Sequence, residues 1–195
     1  MAELSDYSGK FVPDIRYDDF SKDALLKLVK LYSRIYLGYM GLWSTVLAEH
    51  MSAEEVFKYQ TEVYLKTARL FEAPGIVKAL NIKGNDVMAL AKVMQMIPDG
   101  SSKDRGTYDG TYEVKSNNHA ILTIKSCKTL DWWENQGDTK SIDICCSVGG
   151  VEELTIVEYA NFINPDIKIT AIKVPPRKSK DEIACQWDIK LEPKG

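Results

Sequence analysis

The first 126 residues of this 195-residue chain contain no cysteine, and the whole chain has only two histidines. So few imidazoles leave a Ser-His-Asp triad little to draw on. There is no HExxH and no GxSxG, and Gly149-Gly150 lacks the third glycine or the Lys-Ser/Thr of a phosphate loop. No run approaches the roughly 18 apolar residues of a membrane span. The opening residues lack the basic stretch and apolar core of a secretory signal, so a cytoplasmic protein with reduced thiols is expected. Neither sign of charge dominates: 25 basic against 28 acidic residues give a net charge of -3. That excludes the clustered basic excess of a nucleic-acid binder. The one basic run, Arg177-Lys178-Ser179-Lys180, is followed by Asp181-Glu182 and reads as a solvated loop.

What is present is ordinary for a globular chain: 45% hydrophobic and 27% charged residues. Residues 1–20 read as an extended arm with Phe11, Tyr17 and Phe20 packed across the body. Ser21 is placed to cap a helix whose stripe, Leu25, Leu28, Tyr32, Ile35, Tyr39, Leu42 and Val46, recurs at spacings of three and four up to about His50. Ser52-Ala-Glu-Glu55 has the form of a capping box and starts a second helix, with Val56, Val63 and Leu70 in phase. Pro74-Gly75 should end or kink it. A third helix covers 86–97, stopped by Pro98. The breadth of the first two stripes suits a homodimer through those helices.

A polar stretch at 99–109 marks the seam between a helical part, 1–98, and an α+β part, 99–195, within one compact domain. Beyond it the period falls to two. Strands flank an Asn117-Asn118 hairpin turn, a short helix ends at Gly137, and a longer one covers about 151–163. Ile167 to Val174 and a last strand with Ile183, Cys185, Trp187, Ile189 and Leu191 on one face complete the chain. The expected fold is α+β: N-terminal antiparallel helices packed with a four-stranded antiparallel sheet, ββ-α-α-ββ.

The chemistry concentrates in four thiols. Cys127 lies where a strand yields to a helix, and thiols near helix N-termini have lowered pKa, which makes it the candidate nucleophile. Cys185 alternates onto the apolar face beside Trp187, where a buried thiol can also serve as a small hydrophobe. Cys145 and Cys146 read as extended, so their side chains point opposite ways. Ile142, Ile144 and Cys146 are in phase, and only one of the pair is expected to join Cys127 and Cys185. Three thiolates with Glu134, Glu153 or His119 would make a zinc site, although each of those three also suits a surface position. Trp132-Trp133 could line a pocket or simply pack.

Three segments carry a family resemblance: SGKFVPDIRYDDFSKDALLKLVKLYSRIYLGYMGLW, SCKTLDWWENQG, and NPDIKITAIKVPPRKSKDEIACQWDIKL. Together they resemble bacterial and archaeal proteins of the L-2-amino-thiazoline-4-carboxylate hydrolase-like family. The resemblance implies hydrolysis at a C–N bond of a small cyclic amidine or amide. The order of elements is also similar to 4-vinyl reductase-type sensor domains and their trafficking-complex relatives. In phenol-sensing members of that group, cysteines after the second strand and on the last strand hold zinc beside a small-molecule pocket. Cys127 and Cys185 occupy matching places. The strand from Ile167 to Val174 offers neither Cys nor Glu, so a further thiol would come from Cys145 or Cys146. The expectation is a cytoplasmic small-molecule-binding protein with a cysteine site, acting either as a hydrolase or as a non-enzymatic sensor or carrier with structural zinc or buried thiols.

Overall fold

A computed structural model describes residues 3–98 and 107–192. The expected seam at 99–109 therefore lies outside the described residues except for its last three. Helix α1 (Lys22–Ala48) starts where Ser21 accepts a hydrogen bond from the Ala24 amide. Helix α2 (Ala53–Thr67) starts at the reciprocal Ser52–Glu55 capping box. Pro74 does not break the second helix outright. A π-helical turn, Ala68–Glu72, precedes it, and α3 (Ala73–Ala79) begins with the proline in its first turn. A proline has no amide to donate, and a widened turn ahead of it accommodates the missing hydrogen bond. Helix α4 (Val87–Met94) is capped by Asp86 and ends before Ile97, shorter than the 86–97 expected.

The β half follows as β1 (Tyr108–Ser116) and β2 (His119–Cys127), then α5 (Lys128–Gln136), α6 (Thr139–Cys146) and α7 (Val151–Ile163), then β3 (Ile167–Lys173) and β4 (Cys185–Leu191). The hairpin forms at Asn117-Asn118, yet neither asparagine has a positive φ. A register shift between Val114 and Ser116 takes up the turn, with the Asn118 amide donating to Ser116 Oγ. All pairings are antiparallel, in the order β1-β2-β4-β3, which places the two most buried strands in the centre. The expected α+β class and four-stranded sheet hold, but three helices separate the two hairpins instead of two.

One face of the sheet presents Ala120, Leu122, Ile124, Trp187 and Ile189. Val87, Leu90, Val93 and Met94 of α4 and Ile156, Tyr159 and Ala160 of α7 complete the same buried cluster. The core thus joins residues from both parts of the chain. Among the described residues, no helix is long and apolar enough to cross a membrane.

Two expectations about faces are corrected. The arm aromatics Phe11 and Tyr17 are exposed, and the arm is tied down by backbone hydrogen bonds between Leu4 and the 19–21 segment and by the hydroxyl of Tyr17, 3.1 Å from that of Tyr32 on α1. Of the predicted α1 stripe, Tyr32, Ile35, Tyr39, Leu42 and Val46 face outward, while Ala24, Ser33 and Met40 are the buried positions. Periodicity identifies an amphipathic helix but does not say what its apolar face will meet.

Candidate functional site

Four elements bring the thiols together. Cys127 ends β2 and is the N-cap residue of α5. Cys185 opens β4, opposite Ile124 in the β2–β4 ladder. Cys145 and Cys146 form the last turn of α6. All four line one small cavity, of about 30 Å³, with Glu152 from the first turn of α7. Ile124, Leu130, Ala184 and Trp187 give it an apolar wall, and Pro175 of the β3–β4 connection closes one side. Such a volume holds one water-sized occupant.

The expected division of the vicinal pair is overturned. An extended segment would have sent Cys145 and Cys146 to opposite sides, but a helix turns only about 100° per residue, so both reach the same cavity. Their short apolar run, Ile142-Asp-Ile144-Cys-Cys146, fits either period, and the Asp138 cap decides for helix by accepting from the Ser141 amide at 3.0 Å.

The electrostatics reverse a second expectation. Amides of Leu130 and Thr129 at the start of α5 do favour the Cys127 thiolate, but burial outweighs them. With Glu152 and Cys146 adding repulsion, the thiol is pushed up to about 11. The Cys145 thiol stands well above its ordinary value, chiefly through its hydrogen bond with Cys146 and through burial, with Glu152 adding to the shift. Burial first and Glu152 second raise Cys185, against an opposing effect of the Trp187 N–H. The raised value runs opposite to the lowering that a helix-terminal position leads one to expect.

Trp187 supplies the remaining polar group. The residue is fully buried, and among the described residues its Nε1–H finds no hydrogen-bond acceptor of normal geometry. It nonetheless acts on Cys185, whose thiolate it favours. A buried donor without an acceptor costs free energy, and a neutral thiol is a weak acceptor where a thiolate is a good one.

The three proposed oxygen or nitrogen ligands lie elsewhere. Glu134 receives Arg177 Nη2 at 2.7 Å and Nε at 2.9 Å. Glu153 accepts from the Gly149 amide at 2.7 Å. His119 Nε2 pairs with Asp188 Oδ1 at 2.7 Å. The carboxylate at the cavity is Glu152, which sequence reasoning missed by one position. Its place in the first turn of α7, one residue from Glu153, is the signal that could have found it. Trp132 is exposed, so the tryptophan that lines the cavity is Trp187.

Arg177 is a further correction. In place of a solvated loop residue, its side chain is 1% exposed and is gripped by Asp131 and Glu134 of α5. The β3–β4 connection folds back onto α5, and this clamp stands two residues from the cavity wall at Pro175. A wider, open groove of about 410 Å³ lies between α4 and the β1–β2 hairpin. Lys83, Lys92, Gln95 and Tyr112 line it, and it contains no thiol.

Among the described residues, no three His, Cys, Asp or Glu side chains stand in an arrangement that could hold a metal ion as they are placed. The donor set nevertheless has the chemistry of a soft-cation site: four sulfurs and one carboxylate. A family model described as a family of unknown function (DUF6125) matches residues 18–191. No curated protein and no solved structure matches the chain.

Proposed function

This chain belongs to that family of unknown function, and we propose from its own residues that the thiol cavity binds a single soft cation, with Zn²⁺ the first candidate. One juxtaposition supports the reading: four thiols and Glu152 share a cavity the size of one ion. Cys127, Cys145, Cys146 and Cys185 are the candidate ligands, with Glu152 beside them. A bound divalent cation would supply positive charge that holds the thiols deprotonated.

The chain's own groups are suited to that state. The Leu130 and Thr129 amides would stabilise a Cys127 thiolate, and the Trp187 N–H a Cys185 thiolate. The apolar wall of Ile124 and Leu130 would keep water out. With four sulfurs available the site is closer to a structural or sensing centre than to an open catalytic one. The cavity, at about 30 Å³, is far smaller than ordinary small-molecule pockets of roughly 300–1,000 Å³ and lends no support to C–N hydrolysis within it. Free thiols at such a site require a reducing compartment, which makes a cytoplasmic location part of the proposal.

The test is metal analysis of full-length protein purified without chelator and then supplied with Zn²⁺. About one equivalent per chain is expected, with loss of most of it in Cys127→Ser and Cys185→Ser. Metal-free protein after loading, or stoichiometry unchanged in those variants, would overturn the reading.

A further inference from the structure

The outward face of α1 is apolar over more than four turns. Leu31, Ile35, Tyr39, Leu42, Trp43 and Val46 follow one another at helical spacing, and each is about half exposed or more, from 48% at Leu31 and Val46 to 66% at Leu42. Residues 35–48 contain no charged side chain. At such exposure the six present roughly 650–700 Å² of surface. That exceeds the ~300–600 Å² of the largest patch on a typical monomer and approaches the ~800 Å² that each partner buries in a stable interface. Gly38 lies on the flank of this stripe, and a Cβ placed there would meet nothing within 4 Å. Nothing within the chain requires a glycine in mid-helix at that point, whereas close approach of another backbone would.

We propose that this face seats a second copy of the same chain, α1 against α1, antiparallel about a two-fold axis beside Tyr39. The charge pattern selects this occupant. With the axis at Tyr39, Ile35 of one copy meets Trp43 of the other, and the turn bearing Lys27 faces Glu49 at the far end of the partner helix. Lys27 and Glu49 lie on one flank of the stripe, and in an antiparallel pair like flanks face each other, so the basic end is complementary to the acidic end. A lipid surface fits less well. An interfacial helix carries basic residues along its polar face, whereas here they are confined to the first half of α1 and the chain has a net charge of -3.

Sedimentation of the full-length protein across micromolar concentrations tests this. The expected mass is twice the 22.0 kDa of one chain, falling to one chain in an Ile35→Glu/Leu42→Glu variant with unchanged far-UV circular dichroism. Should that variant fail to fold, crosslinking decides. Tyr39→Cys is expected to form a covalent dimer under mild oxidation, and Leu26→Cys, on another face of α1, is not. A single-chain mass throughout the range, a doubled mass that survives both glutamates, crosslinking at position 26 but not 39, or single chains that float with lipid vesicles would each overturn the proposal.

Discussion

At Cys127 two effects of comparable kind compete, and burial prevails over the start of α5. This has a consequence for stability. The folded thiol titrates at about 11 and an unfolded cysteine near 8.5. Protons are therefore held more tightly by the folded state, and the stabilisation is full below pH ~8.5 and lost as pH rises toward about 11. In chelator-treated protein the Cys127 thiol should contribute a loss of about 3 kcal/mol across that window, beside the losses from Cys145 and Cys185, and denaturant unfolding of Cys127→Ala should show a correspondingly shallower pH slope. An identical pH slope in the variant would refute the assignment. Arg177 makes a second prediction. Replacing it by Leu strands the Asp131 and Glu134 carboxylates, which are 35% and 22% exposed. Their partial access to water moderates the penalty to about 2–3 kcal/mol. Lys at the same position should recover only part of it, because it cannot pair with both carboxylates through a planar fork. Urea unfolding of both variants measures the difference.

At the scale of elements, the junction of α6 and α7 positions half of the site. Gly150 caps α7, and a Cβ there would fall 2.8 Å from the carbonyl oxygens of both Ile144 and Cys145 and 2.9 Å from that of Ser147. These are backbone atoms and cannot rotate away. Gly150→Ala should therefore push the end of α6 from the start of α7, separate Cys145 and Cys146 from Glu152, and cost about 2 kcal/mol or more. Thermal unfolding with thiol-reagent kinetics checks this: faster labelling of the vicinal pair is expected, and unchanged kinetics with unchanged midpoint would contradict it. The same junction explains what was hard to read in the chain. A short apolar run with two cysteines fits strand and helix equally, and only the Asp138 cap and the Gly150 contact settle it.

At the scale of the whole molecule, α7 and the π-helical turn link the two parts of the chain. Glu72, on that turn, accepts from Tyr36 of α1 at 3.1 Å and also from Tyr159 of α7. Leu90 of α4 shares one buried cluster with Leu122 and Trp187 of the central strands. A single cooperative transition is expected, with helical circular dichroism and near-UV circular dichroism of the packed core coinciding. Leu90→Ala should lower both midpoints together by about 2–5 kcal/mol of stability. Separate transitions for the two probes would show that the parts fold independently.

The sequence by itself determined the α+β class, the Ser52–Glu55 capping box and most element starts, because these rest on local periodicity and on side chains hydrogen-bonding their own backbone. It also placed Cys185 on the buried face of the last strand and Cys127 at a strand-to-helix junction. Tertiary structure decided what no local pattern encodes. The helical turn of α6 brought both vicinal cysteines to one cavity, and burial there reversed the pKa expected for Cys127. The fold chose Glu152 over Glu134, Glu153 and His119, buried Arg177, and left the α1 stripe outside the core. Burial and desolvation depend on neighbours distant in the chain, and a spacing pattern cannot tell an inward apolar face from one left exposed.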